Sequence, residues 1–107
     1  MSEPQFLYLT TIGWISGQPH TIEIWFVSVA GNCYVVSEQR EDSHWVKNIA
    51  ATPAVRYAIG QRDGDWIDGV GRAVDPAQEP ALAATVQAAM DAKYGWSDGL
   101  IVELRPA

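Results

Sequence analysis

The side chains that most often carry catalysis or bind metals are sparse in this sequence and lie far apart. Its two histidines are His20 and His44, and its one cysteine is Cys33. A structural zinc site needs four Cys or His ligands, usually in closely spaced pairs, so these three residues do not make one. The sequence also has no glycine-rich phosphate loop and no Gly-x-Ser-x-Gly motif. Zinc, nucleotide-phosphate and serine-hydrolase sites of the familiar kinds are therefore not expected.

Three aspartates, Asp63, Asp65 and Asp68, are spaced like the beginning of a calcium-binding loop. Such a loop also supplies a Glu at its twelfth position, and this segment has none. The Asp63-Gly64 step is typical of a turn between two strands. We therefore expect a hairpin here and no metal.

The charge and hydrophobicity of the sequence argue against two classes of function. The 107 residues include 7 basic and 13 acidic side chains, for a net charge of −6. Nucleic-acid binders draw much of their affinity from Lys and Arg, so nucleic acid is not an expected partner. The longest apolar stretch, residues 24–30, is far shorter than the ~20 residues that cross a bilayer, so no membrane segment is predicted.

A chain of this length builds one modest core, so we expect a single domain over residues 1–107. The lone Cys33 cannot form an internal disulfide, and the initial segment MSEPQ lacks the basic and apolar regions of a signal peptide. The sequence therefore predicts a cytoplasmic protein in which Cys33 is a small buried side chain.

Hydrophobic periodicity predicts six strands and two helices. Alternating apolar and polar residues, separated by turn residues, are typical of half-buried strands. The strands are predicted at 5–12, 20–29, 33–37, 54–59, 66–74 and 100–104. The helices are predicted at 43–51 and 80–94, where apolar residues recur four positions apart. Short connections favour antiparallel pairing, and a closed or partly closed barrel leaves few strand edges exposed.

Several segments of the sequence together resemble the deazaflavin-dependent nitroreductase family. The most specific is 10–19 (TTIGWISGQP), and the others are 45–49 (WVKNI), 52–55 (TPAV) and 71–73 (GRA). That family belongs to the pyridoxamine-phosphate-oxidase-like, FMN-binding split barrels. The resemblance covers nearly the whole chain and implies a mainly β (α+β) fold, an antiparallel split β-barrel of about six strands with two helices.

The same resemblance implies a homodimer with FMN or a deazaflavin coenzyme in a groove between the subunits. The family's phosphate site corresponds to the strand end and loop at 37–40 and the helix that follows, and its ring system borders the strand at 20–25. The residues that the resemblance assigns to the cofactor are His20, Thr21, Ile22, Glu23, Trp25, Ser37, Gln39, Arg40, Trp45 and Lys47. No side chain is required as an acid or base.

The sequence departs from the family where basic residues are usual. Trp14 and Ile15 occupy the turn, and His20 stands where an Arg is typical, while three acidic residues crowd the loop at 38–42. A lost charge-assisted hydrogen bond is worth about 1.5–3 kcal/mol. The deazaflavin coenzyme, with its long anionic tail, should suffer more from these losses than compact FMN.

Two functions remain open from the sequence. The first is an oxidoreductase in which the bound cofactor passes a hydride to a nitro compound, a quinone or a similar small-molecule acceptor. The second is a non-catalytic homodimer that keeps the barrel and only binds or sequesters a flavin-like planar ligand. The missing basic residues favour the second function, and the intact surrounding pattern favours the first.

Overall fold

A closed antiparallel barrel is the centre of the computed structural model, which describes residues 3–107. The strands are β1 (Phe6–Ile12), β2 (Pro19–Val29), β3 (Asn32–Ser37), β4 (Ala54–Ile59), β5 (Trp66–Ala73) and β6 (Leu100–Pro106). They lie in the order β1-β2-β3-β6-β5-β4, and β4 pairs with β1 to close the barrel. The helices are α1 (His44–Ala51) and α2 (Pro80–Tyr94), and neither is long and apolar enough to cross a membrane. The predicted split-barrel fold class is confirmed.

The observed boundaries differ little from the predicted ones. β6 continues to Pro106, two residues beyond the predicted end, and a 3₁₀ turn at Arg40–Asp42 occupies the predicted charged loop. The predicted helix start at Pro80 is confirmed. A proline fits there because a residue in the first turn has no helical hydrogen bond to lose through its N–H. Gly95 ends α2 with a φ of 72°, the left-handed conformation that glycine adopts without strain.

The first hydrophobic cluster joins the barrel strands to α1. Its fully buried members include Leu7, Leu9 and Phe26, and α1 contributes Val46 and Ile49. Each buried side chain of this kind contributes about 1.5–3 kcal/mol through the hydrophobic effect. This packing fixes α1 against the barrel and therefore fixes everything that α1 carries.

Glycine at position 71 lets α1 approach β5. A Cβ there would lie 3.1 Å from two atoms of Ile49, a closer contact than packed side chains normally make. The sequence predicts a bend or a close backbone approach at Gly69 and Gly71. The backbone approach is confirmed at Gly69, where a Cβ would lie 2.7 Å from the carbonyl oxygen of Arg105, whereas the close neighbour of Gly71 is the Ile49 side chain.

The second cluster lies under α2, whose end is fastened to β2. Val86 and Met90 are fully buried against residues of β2 and β3. The Tyr94 hydroxyl accepts the backbone N–H of Phe26 at 2.9 Å and donates to the carbonyl of Gln5 at 2.7 Å. The Tyr94 ring stacks on Trp25, with centroids 4.4 Å apart and an interplanar angle of 4°. α2 is thereby held across β2 and the segment before β1.

A buried carboxylate, that of Glu103 on β6, is satisfied by two donors. Tyr34 donates its hydroxyl to Glu103 at 2.7 Å, and Arg72 donates its Nε at 3.0 Å. Arg72 also makes a two-pronged pair with Glu79, just before α2, at 2.6 and 2.9 Å. Burial raises the pKa of Glu103, but the Arg72 and Tyr34 hydrogen bonds outweigh it and hold that pKa below its ordinary value.

Arg72→Met should lower the free energy of unfolding at pH 7 by about 1.5–3 kcal/mol, because it leaves the Glu103 carboxylate buried without its charged donor. Urea unfolding measures the change. Arg56→Met is the matched control, because the Arg56–Asp68 pair is exposed on both sides and is worth about 0.2–1 kcal/mol.

The loss of unfolding free energy caused by Arg72→Met should also depend on pH. The ion pairs are fully present above the unfolded-state pKa of Glu, about 4.3, and are lost as the pH falls through the lowered folded-state pKa. A deficit equal at pH 7 and pH 3 would contradict this account.

Candidate functional site

One edge of β2 has a strand partner over only part of its length. Residues 19–25 of β2 pair with β1, from Phe6↔Trp25 to Ile12↔Pro19. On its other side β2 pairs with β3 only from Phe26↔Val35 to Val29↔Asn32. Over 19–25 that second edge has no strand partner within residues 3–107, so its backbone N–H and C=O groups face the gap between the strands. We call this segment the free edge of β2.

A first groove, the turn–helix groove, lies between the β1–β2 turn and α1 at the beginning of the free edge. Its volume is about 370 Å³. Its main lining residues are Trp14, Ile15, His20, Ile22, Trp45 and Asn48. Most of the lining surface is apolar, and no carboxylate belongs to it. A groove of this size and character is suited to a flat, largely apolar ring.

Asn48 fixes the shape of the turn–helix groove. Its side-chain amide donates to the buried Thr11 hydroxyl at 3.0 Å and accepts the backbone N–H of Trp14 at 2.9 Å. The sequence predicts that Asn48 ties α1 to a neighbouring strand, and that tie is confirmed. Because the Asn48 side chain binds both β1 and the β1–β2 turn, it fixes the position of the turn relative to α1.

Both histidines, His20 and His44, line this groove, and Lys47 stands beside it. His20 Nε2 lies 3.3 Å from the Ser16 hydroxyl, which accepts the backbone N–H of Gln18 at 3.2 Å. Lys47 Nζ lies 5.5 Å from the centre of the Trp14 ring, a cation–π contact, and makes no ion pair among residues 3–107. Lys47 is therefore a cation beside the groove that no carboxylate neutralises.

A second groove, the split groove, occupies the gap between β2 and β3 at the other end of the free edge. Its volume is about 520 Å³. The residues that give it its character are Phe6, Glu23, Trp25, Glu38 and Trp96. Its walls are aromatic and its charges are negative, so it differs in kind from the turn–helix groove.

The structure gathers some of the predicted cofactor residues and separates others. His20, Ile22 and Trp45 line the turn–helix groove, and Glu23 and Trp25 line the split groove. The Thr21 hydroxyl is hydrogen-bonded to the Thr10 hydroxyl, 2.8 Å away. Gln39 is exposed just before the 3₁₀ turn.

Ser37 and Arg40 are engaged with other groups. The Ser37 side chain is 1% exposed, and its hydroxyl donates to the carbonyl oxygen of Arg40 at 2.8 Å and contacts the Ser43 hydroxyl. The Arg40 guanidinium pairs with Asp98 at 3.0 Å. The loop is thus shaped by its own hydrogen bonds, and Arg40 would have to leave Asp98 to meet a ligand in either named groove.

Comparison with known proteins identifies the family of this chain. The sequence model described as F420H(2)-dependent quinone reductase matches residues 1–98. The chain belongs to the F420H2-dependent quinone reductase family. This is a family of deazaflavin-dependent oxidoreductases, which confirms the predicted resemblance and the enzyme class. No curated protein matches the sequence.

Solved structures share the fold of this family member at low sequence identity. The haem storage protein HutZ of Vibrio cholerae has a TM-score of 0.77 and 19% identity, over 98% of this chain and 83% of HutZ. A putative pyridoxamine 5′-phosphate oxidase of Listeria innocua has a TM-score of 0.70 and 14% identity, over 95% and 83%. An F420 reductase has a TM-score of 0.64 and 19% identity, over 98% and 88%. At these identities the likeness concerns the fold.

The residues of the site fit a deazaflavin of the F420H2-dependent family. The turn–helix groove offers aromatic walls to a flat ring, the free edge offers unpaired backbone groups, and Lys47 offers a positive charge. An anionic tail is favoured beside Lys47 and disfavoured beside Glu23 and Glu38.

The assignment of cofactor residues from sequence leaves out several that line the grooves. Trp14, Ile15 and Asn48 line the turn–helix groove, and Glu38 and Trp96 line the split groove. The signal for Trp14 and Ile15 was available, because they lie inside the TTIGWISGQP segment. The place of Glu38 in the lining of the split groove can be recognised only once the point where β2 and β3 diverge is known.

Asn48→Ala should lower the free energy of unfolding by about 1–3 kcal/mol, because it leaves the buried Thr11 hydroxyl without its donor. It should also speed hydrogen exchange of the Trp14 amide, which loses its acceptor. Urea unfolding and residue-resolved exchange measure the two effects. Gln87→Ala, an exposed change on α2, is the control and should alter neither. Normal protection of Trp14 in Asn48→Ala would show that the turn is held by something else.

Proposed function

We propose that this chain is an F420H2-dependent quinone reductase that holds its cofactor along the free edge of β2 and works as a homodimer. The observation that carries the proposal is the free edge itself, which has a groove at each end. A deazaflavin ring carries carbonyl and N–H groups along one edge, and these suit an unpaired strand edge. In the bound state reduced F420 supplies the hydride that reduces the acceptor.

In this proposal the residues from His20 to Trp25 border the ring, mainly through their backbone. Thr21 contributes backbone groups, since its hydroxyl is already bonded to Thr10. Trp45 lines the groove that receives the ring, and Lys47 stands beside the end of the cofactor that carries the phosphate. The loop with Ser37, Gln39 and Arg40 shapes the approach to the N-terminus of α1, whose first N–H groups favour an anion.

The protein's contribution to the reaction is orientation and exclusion of water. Trp14, Ile15 and Trp45 surround the turn–helix groove with apolar surface, which limits hydration of a bound ring. The quinone is proposed to enter the split groove, where Trp25 and Trp96 offer flat faces for stacking. A nitro compound is the second acceptor class that the sequence suggests.

The homodimer is proposed from exposed apolar side chains beside the turn–helix groove. Ile15 is 80% exposed and Trp14 is 49% exposed in the single chain. Large apolar side chains at such exposure, adjacent to an open groove, are typical of a surface that a partner covers. A second copy on this turn would close the groove by two-fold symmetry.

F420 titrated into the purified protein should bind in the micromolar range or tighter, and F420H2 should be oxidised when a naphthoquinone is added. Cofactor fluorescence follows the binding, and the return of F420 absorbance follows turnover. FMN is titrated in parallel, because the missing basic residues favour it. FMN binding without F420 binding would overturn the cofactor assignment. F420 binding without turnover of quinones or nitro compounds would favour the non-catalytic alternative.

Lys47→Gln should weaken F420 binding about 10- to 100-fold, the equivalent of one charge-assisted hydrogen bond. It should leave a deazariboflavin, which lacks the anionic tail, nearly unaffected. Arg40→Ala should act in the same sense if Arg40 leaves Asp98 for the phosphate. Arg62→Gln is the matched control, since Arg62 lies over Tyr8, lines neither groove and carries the same charge. Equal weakening of F420 binding by Lys47→Gln and Arg62→Gln would show that the loss comes from the net charge of the protein and that Lys47 does not contact the cofactor.

A further inference from the structure

The split groove opens three positions before continued pairing of β2 and β3 would set two acidic residues opposite each other. β2 and β3 pair in a register in which Phe26 opposes Val35 and Val27 opposes Tyr34. Continued past Phe26, that register would set Trp25 opposite Val36 and Glu23 opposite Glu38. Like charges directly opposite one another destabilise a strand pair. The pairing stops before it reaches them, and the groove begins there.

Neither carboxylate is neutralised within residues 3–107. Glu23 and Glu38 make no ion pair and accept no side-chain hydrogen bond there. Arg40, the basic residue nearest to Glu38 in the chain, turns its guanidinium to Asp98. The groove therefore carries two uncompensated negative charges on opposite sides of one gap.

The remaining character of the groove is aromatic. Phe6, Trp25 and Trp96 line it, and Trp25 is held by its stack on Tyr94, so its position is fixed before any ligand arrives. The face of an aromatic ring attracts cations, tryptophan most strongly. Carboxylates and tryptophan faces around one gap favour the same kind of ligand, a positive charge spread over a flat ring.

The size of the groove sets an approximate limit on that ligand. Its volume of about 520 Å³ lies within the range of roughly 300–1,000 Å³ that is usual for small-molecule sites. A metal ion or a single ammonium group would leave most of this space and the aromatic walls unused. A two-ring aromatic cation would use the aromatic walls as well as the negative charge.

We propose that the split groove is a binding site for flat aromatic cations, held between Glu23 and Glu38 and stacked on Trp25 and Trp96. The site overlaps the place proposed for the quinone, so a flat aromatic cation bound there would compete with that neutral ring, and its binding does not require the cofactor. The site distinguishes ligands by charge, because an anionic ring of the same shape would meet both carboxylates.

The experiment uses 1-methylquinolinium as the cationic probe and quinoline, neutral at pH 7.5, as its partner of nearly the same shape. Calorimetric titration into the purified full chain should give a dissociation constant at least tenfold lower for the cation. Raising the salt concentration from 50 to 500 mM should weaken the cation severalfold and leave quinoline nearly unchanged. Equal affinities for the two probes, or no binding of the cation, would overturn the proposal.

Glu23→Gln and Glu38→Gln should each weaken the cation at least threefold without weakening quinoline. Glu41→Gln removes the same charge from an exposed position outside the groove and should change neither affinity. Both groove variants should melt no lower than the wild type in the absence of probe, since the charge removed opposes its neighbour across the gap. A loss in Glu41→Gln equal to that in Glu23→Gln would show that only the net charge of the protein attracts the probe.

Discussion

β2 is longer than either of its neighbours can pair, and the candidate site depends on this constraint. Its eleven residues are divided between β1, which pairs with 19–25, and β3, which pairs with 26–29 on the other side. β1 must meet β2 in that register because Leu7 and Leu9 face the interior, and a slip of one residue would turn them to solvent. The segment that carries the free edge is thus held along its other edge by β1, whose register is fixed by the core.

The distribution of charge gives the free edge a polarity. Lys47, beside the turn–helix groove, makes no ion pair among the described residues, and Glu23 and Glu38 stand unpaired at the split groove. Most other charges are committed elsewhere: Arg72 to Glu79 and Glu103, Arg56 to Asp68 and Lys93 to Glu3. An acidic protein can accommodate an anionic coenzyme in this way when the anion lies beside Lys47, at the groove whose lining residues include no carboxylate.

The fold could be predicted from the sequence largely because each strand alternates and each turn has its characteristic residues. The close backbone approach at Gly69 and the start of α2 at Pro80 followed from backbone chemistry alone. The site was less accessible, because its grooves form between segments that are distant in the chain. Asn48 and Trp14 are 34 residues apart, and their hydrogen bond depends on how far the barrel brings α1 under the turn. The role of Glu38 depended on where two strands part, which is set by register and not by local propensity.

β6 lies between β3 and β5, and this position bears on how the chain folds. The strand formed last in sequence order joins two earlier strands and closes the cylinder, so β3 and β5 each keep an open edge until it arrives. During synthesis on the ribosome these edges emerge well before their partner does. Contacts between segments so far apart in sequence are slow to form, and open edges are prone to pair with other chains. The nascent protein should therefore depend on chaperones, or on late and rapid collapse, more than a helical bundle of the same length.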